Sequence, residues 1–148
     1  MRLERNAFHH LGILIPKDLP VITDAIRTSI ERNRYEAREA QVISALLRPG
    51  DTVLEIGGGI GFLSAYCLKA AGAGRVVSYE ANPALEPVIG AVHALNGVKG
   101  EVRVGILAEA DGEADFFIAP NFWASSMSPP ARARNWRKRS RSRRNIST

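Results

Sequence analysis

The sequence predicts an α/β protein, the N-terminal half of a doubly wound parallel sheet preceded by two helices. Three observations carry this. The β-rich run Thr52 to Ile56 leads directly into Gly57, Gly58, Gly59 and Gly61 and then into the apolar segment Phe62 to Ala71, the order of strand, glycine loop and helix that opens a nucleotide-binding α/β unit. Strand-like and helix-like segments then alternate as far as Ile118, which argues a parallel sheet. The stretch from Val53 to Pro130 is long enough for β-α-β-α-β and a hairpin, which is one half of such a sheet.

The elements follow in chain order. Residues 1–20 carry Phe8, Leu11, Ile13 and Ile15, alternating in part and followed by Pro16 and Pro20, which suits a short strand or an extended arm. Ile22, Ala25, Ile26 and Ile30 recur at helical spacing and predict a helix with one buried stripe. After a polar break at Asn33 and Arg34, Val42, Ile43, Leu46 and Leu47 form a second stripe, stopped by Pro49 and Gly50. Gly72 and Gly74 end the helix after the glycine loop, and Val76 to Tyr79 makes a second strand closing on Glu80. Asn82 and Pro83 stand where an N-cap and a first helical residue belong, and Leu85, Val88, Ile89 and Val92 supply that helix's core face. Val102, Val104 and Ile106 make a third strand; Asp111 and Gly112 turn the chain into Ala114 to Ile118, expected to pair back on it as a hairpin.

Charge divides the chain. Residues 131–148 hold eight of the 20 basic residues and no acid, so the rest carries 12 basic against 15 acidic groups and is mildly acidic. No apolar run is long enough for a membrane span or a signal peptide, which predicts a soluble cytoplasmic protein. The single cysteine, Cys67, cannot form an internal disulfide and reads as a small buried hydrophobe. His9 and His10 are adjacent, so on a strand they face opposite sides and do not share a metal; no metal site is expected.

The glycine loop directs the functional reading. Glycines at 57, 59 and 61 let backbone approach a ligand closely, but the spacing is G-x-G-x-G and not the dinucleotide fingerprint G-x-G-x-x-G, since Phe62 stands three beyond Gly59. Glu55, beside the loop, would repel a pyrophosphate and could pair with a cation. S-adenosylmethionine has an ammonium and a sulfonium and no phosphate. Glu80, closing the next strand, is placed to accept hydrogen bonds from ribose hydroxyls.

These residues resemble the class I methyltransferases that use S-adenosylmethionine, and among them the FkbM type. The resemblance rests on VLEIGGGIGFLS (53–64), YEAN before Pro83 (79–83), a helix ending in LNG (95–97) and VRVGILAEADGEADFFI (102–118), with Arg34, Tyr35, Glu36 and RPGDTV upstream. It covers roughly residues 11–130 and implies a Rossmann-like methyltransferase sheet. It further implies that Glu55, Gly57, Gly58, Gly59 and Gly61 surround the methionine part of the cofactor, Glu80 with Asn82 serves the ribose, and the adenine lies near Gly105 and Ile106. Tyr35 and Glu36 would stand at the pocket mouth, and Phe122 and Trp123, with Ser125 and Ser126, would form a loop over it. The expected reaction is O-methyl transfer to a sugar or other small metabolite, an in-line displacement that depends chiefly on alignment; no catalytic residue is named. Two other functional readings stand beside it: a non-catalytic nucleotide- or RNA-binding module, and a dinucleotide-dependent oxidoreductase.

Three domain-level segments result: an arm or strand (1–20), a partial cofactor-binding domain (21–130), and a basic tail (131–148) expected to be disordered because it offers little apolar surface. The family's next strand, an apolar run with an acid before Glu-Gly, has no counterpart after Pro130, so the domain reads as C-terminally truncated, and the sequence leaves the activity of this form open. The tail has three readings. It could be a solvated end, a charge-driven binder of nucleic acid, or the product of a shifted reading frame, since permitted codons for Asn135 to Thr148 regroup into an acidic strand-like sequence. Strand 52–56 would become an exposed edge inviting self-association.

Overall fold

In the computed structural model of the chain, residues 6–107, 113–119, 125 and 137–143 are described. Two short strands open them, β1 (Ala7–His10) and β2 (Ile13–Pro16), paired antiparallel with His10 opposite Ile13. Leu11 and Gly12 between them both have positive φ, 47° and 83°, as a two-residue hairpin turn demands. The segment read as an arm or a strand is thus a hairpin, and its inner residues Phe8, His10, Ile13 and Ile15 are buried.

Two helices follow. In α1 (Asp24–Glu31) the Thr23 hydroxyl caps the Ile26 N–H, and Ile26 and Ile30, four residues apart, are buried. They join Phe8, Ile13 and Ile15 in the larger core. The stripe predicted for α2 (Ala37–Leu46) is only partly covered: Val42 is 56% and Leu46 75% exposed, while Ile43 and Leu47 pack beside Val53 and Cys67. The helix leans on α3 along one narrow line, where the Ser44 and Tyr66 hydroxyls meet at 2.6 Å, and a single neighbour cannot cover the whole stripe.

The centre of the molecule is the predicted alternation: β3 (Thr52–Ile56), α3 (Phe62–Lys69), β4 (Arg75–Glu80), a 3-10 turn at Pro83–Leu85, α4 (Glu86–Leu95) and β5 (Glu101–Val104). The three strands form a parallel sheet in the order β3-β4-β5. Parallel pairing requires a crossover between strands, which α3 and α4 supply. Asn82 caps the turn by accepting the Ala84 N–H at 3.1 Å, as its place before Pro83 predicts. At the other end of α4, Asn96 accepts the Leu14 N–H at 2.9 Å and donates to the Leu14 carbonyl at 2.7 Å, stitching the hairpin to the helix.

Strand alternation sorts the sheet into two faces. Val53 and Val76, register partners, turn toward Cys67 and Leu68 of α3. Leu54 and Ile56 turn the other way and are 57% and 72% exposed. Among the described residues β3 pairs only with β4 and lies at the sheet edge.

Two expectations change. The fourth strand, β6 (Glu113–Ile118), does not fold back on β5; it pairs antiparallel with β7 (Arg137–Arg143), with a register shift between Phe116 and Ile118. Residues 137–143 of the tail are therefore a strand and not disordered. Extended backbone satisfies its hydrogen bonds on any neighbouring strand whatever its hydrophobicity, and the register sets Glu113 opposite Arg143 and Asp115 opposite Arg141. The turn expected at Asp111 and Gly112 lies outside the described residues. No helix among those described is long and apolar enough to cross a membrane.

Candidate functional site

The glycine loop is built by conformation first. Gly57, Gly59 and Gly61 have φ of 85°, 54° and 82°, the left-handed region that L side chains adopt only at a cost. At Gly61 a Cβ would also stand 2.9 Å from the Cα of Ile89, so α3 and α4 meet through that glycine. At Gly58 it would stand 3.0 Å from Ile89 Cδ1. At Gly57 it would meet nothing within 4 Å. Gly58 and Gly61 thus serve packing, and Gly57 faces open space at the carboxyl end of the sheet.

That space is a cavity of about 530 Å³, within the range of small-molecule sites. Gly57 and Gly59 line it, with Ile56 and Tyr79 from the ends of β3 and β4 and Glu80 and Ala81 beyond. Gly105, Ile106 and Leu107, just past β5, form another wall, and Phe116, Ser125 and Glu36 complete it. Of the residues singled out in the sequence, the structure brings Glu36, Gly57, Gly59, Glu80, Gly105 and Ile106 to one cavity. Ser125 lines it too, its hydroxyl accepting the Ala119 N–H at 3.0 Å; Phe122, Trp123 and Ser126 lie outside the described residues.

The loop's own amides point inward. Gly57 and Gly58 donate to the Tyr79 carbonyl at 2.8 and 3.2 Å, and Gly61 donates to the Gly58 carbonyl at 2.8 Å. Gly59 donates to Glu80 Oε2 at 3.0 Å. A phosphate cradle needs such N–H groups aimed at the ligand, and these four are already engaged. Among the described residues that line the cavity there is no Lys or Arg.

Glu80 is buried and held from both sides, Oε2 by Gly59 and Oε1 by the Asn82 N–H at 2.7 Å. Burial raises its pKa, and those backbone hydrogen bonds oppose the rise. A carboxylate offers about four lone-pair sites, so both oxygens retain capacity for hydroxyl donors. Asn82 does not line the cavity; it positions Glu80.

Glu55 departs from its expected place. It is the register partner of Ser78 and accepts that hydroxyl's hydrogen bond, on the α3 side of the sheet, while its neighbour Ile56 faces the cavity. Period-two alternation decides this, and direct contact between Glu55 and a ligand is accordingly revised to influence through charge. Burial, set against hydrogen bonds from Ser78 and Ser64 and joined by repulsion from Glu80, pushes Glu55 up to about 7. Glu36 is pushed up to about 8 by burial, then by Glu55 and Glu39. Tyr35 also leaves the cavity: its ring packs edge-on against Phe62 at 5.9 Å, and burial raises its phenol.

Cys67 is buried, and its thiol is pushed up to about 11 chiefly by burial, which leaves it unreactive at neutral pH. Among the described residues no three His, Cys, Asp or Glu converge as metal ligands would. Sequence reasoning missed Ile56, Tyr79, Ala81, Leu107 and Phe116. The first three had a usable signal, since ligands of α/β sheets gather at the carboxyl ends of strands; Phe116 had none, because its place depends on how β6 pairs.

The chain is similar to known proteins over part of its length. Over 82 residues the chain is 34% identical to a ribosomal protein L11 methyltransferase of Pelotomaculum thermopropionicum, a match covering 53% of this chain and 26% of that protein. The chain thus matches about a quarter of the length of that relative. A crystal structure from Pyrococcus horikoshii, described as a transferase, superposes with a TM-score of 0.47 at 18% identity, covering 64% of this chain and 34% of that one. No protein-family model matches the chain.

Proposed function

We propose that the cavity binds S-adenosylmethionine and that the chain is the cofactor-binding part of a methyltransferase. One observation carries this reading: the described residues that line the cavity include Glu36 and Glu80 and no Lys or Arg, and the loop amides that would cradle a phosphate are spent on Tyr79, Gly58 and Glu80. A cationic nucleoside without phosphates fits that arrangement, and NAD or a nucleic acid backbone does not. The similarity to a methyltransferase over 82 residues supports it.

In this reading Glu80 accepts the ribose hydroxyls, Gly57 and Gly59 allow close approach of the cofactor, and Ile106 with Leu107 offers apolar contact to the base. Glu36 and Glu55, pushed up to about 8 and 7 in the chain without ligand, supply negative potential toward the positive end once ionised, a state that a cationic ligand favours. When bound, S-adenosylmethionine supplies an electrophilic methyl carbon on sulfonium. The residues described here orient that centre; the acceptor oxygen must lie in line with the carbon–sulfur bond, so that one bond forms as the other breaks and the oxygen gives up its proton. The FkbM resemblance supports a hydroxyl of a sugar or other small metabolite as acceptor.

Calorimetry on the full chain tests the reading. S-adenosylmethionine and S-adenosylhomocysteine are expected to bind and NADH is not. Tighter binding of NADH, or undiminished binding by Glu80→Ala, would overturn it.

A further inference from the structure

We propose that His10 is a positioning residue for the cavity: from the inner face of the amino-terminal hairpin it holds the Asn33–Glu36 corner in place and so keeps the Glu36 carboxyl on the cavity wall. As a statement about ligand recognition this rests on the reading above.

The corner between α1 and α2 is strained. Asn33 and Glu36 have φ of 53° and 46°, a left-handed conformation that a residue with a Cβ adopts only at a cost, smaller for Asn than for Glu. Glu36 also stands at the N-cap of α2 without making a side-chain cap hydrogen bond, so its carboxyl is free to point into the cavity. Something must hold the backbone there. His10 is fully buried; its Nε2 donates to the Tyr35 carbonyl at 2.7 Å, and its Nδ1 lies 3.2 Å from Asn33 Oδ1. The same ring stacks tilted on Phe62, the first residue of α3 after the glycine loop, at 4.7 Å. One side chain thus touches the corner that carries Glu36 and the helix that starts from the loop. A buried imidazole whose Nε2–H is paired with a backbone carbonyl is more than core filling: an apolar side chain would fill the same space and leave the Tyr35 carbonyl without its donor.

Glu36 reports on this geometry because burial is the largest cause of its raised pKa. The charged groups near it are Glu55 from β3, Glu39 and Arg38 from α2, Glu80 across the cavity, and Arg34 of the corner itself. If the corner swings out, Glu36 regains water and titrates as an ordinary carboxyl.

The test is a carbon-detected NMR titration of the Glu36 carboxyl in the full chain without ligand, assigned with Glu36→Gln. The parent is expected to titrate near 8. His10→Gln, whose amide nitrogen can replace Nε2–H at the Tyr35 carbonyl, is expected to stay near the parent. His10→Asn, too short to reach it, is expected to fall by two pH units or more. Equal midpoints in the Gln and Asn variants would overturn the proposal. Should His10→Asn not fold, the parent decides: the His10 ring and the Tyr35 amide should shift with the Glu36 midpoint, and an independent midpoint would overturn the coupling. No ligand enters this titration, so failure of the methyltransferase reading, seen by calorimetry on the parent, is separable from failure of the His10 role.

Discussion

The Glu80 carboxylate accepts the Gly59 N–H at 3.0 Å, so the residue that closes the second parallel strand also holds the crest of the glycine loop after the first. Through Glu80 the two most legible features of the sequence are one structural unit. Loss of that carboxylate therefore acts on loop and ligand together.

Glu80→Ala leaves the amides of Gly59 and Asn82 without acceptors and removes the group facing the cavity. Each buried group left unpaired costs about 1 to 3 kcal/mol, so binding of S-adenosylhomocysteine should weaken about 10-fold or more, measured by calorimetry. Glu80→Gln keeps an acceptor oxygen and should fall between.

Gly57→Ala and Gly61→Ala separate conformation from contact. Both place an L residue at φ above 80°, worth about 1 to 2 kcal/mol. Only Gly61 also drives a Cβ into the Ile89 backbone. Chemical denaturation should show Gly61→Ala losing clearly more stability than Gly57→Ala, whose larger effect should be on ligand binding at the cavity.

Stability should fall as pH rises from about 5 to 8. Glu36 and Glu55 titrate in the folded chain near 8 and 7, against an ordinary value of 4.5, so the native state holds protons that the unfolded chain has released, and ionisation favours unfolding. His93, whose pKa burial lowers, acts in the opposite sense as pH falls through 6.5, so the carboxyls are isolated above that value. Denaturation midpoints at pH 6.5 and 8 check this, with Glu36→Gln expected to flatten the slope. A cationic ligand reverses the sign for binding, and affinity for S-adenosylmethionine should rise over the same range.

A chain ending at Pro130 removes β7 and leaves the edge of β6 unpaired. Because an isolated two-stranded sheet is marginal, the melting midpoint should move by no more than about 2 °C, while hydrogen exchange at residues 113–118 should quicken. A larger fall would show β6 and β7 to be part of the cooperative core.

Local chemistry was enough to read the strand, glycine loop and helix, the Asn82 cap before Pro83, and Glu80 at a strand end, because positive φ, capping and period are properties of neighbouring residues. Contacts between distant segments decided the rest. Period two requires Glu55 and Ile56 to face opposite ways, but only the docking of α3 onto one face turned Glu55 to Ser78 and left Ile56 to the cavity. In the same way β6 took β7 as its partner and not β5, and half of the α2 stripe found no cover. His10 looked like one of two histidines on a strand until the fold brought the Tyr35 carbonyl, 25 residues away, within 2.7 Å. A strand's pattern states which side chains share a face, and which surface that face meets is set by packing that no local pattern encodes.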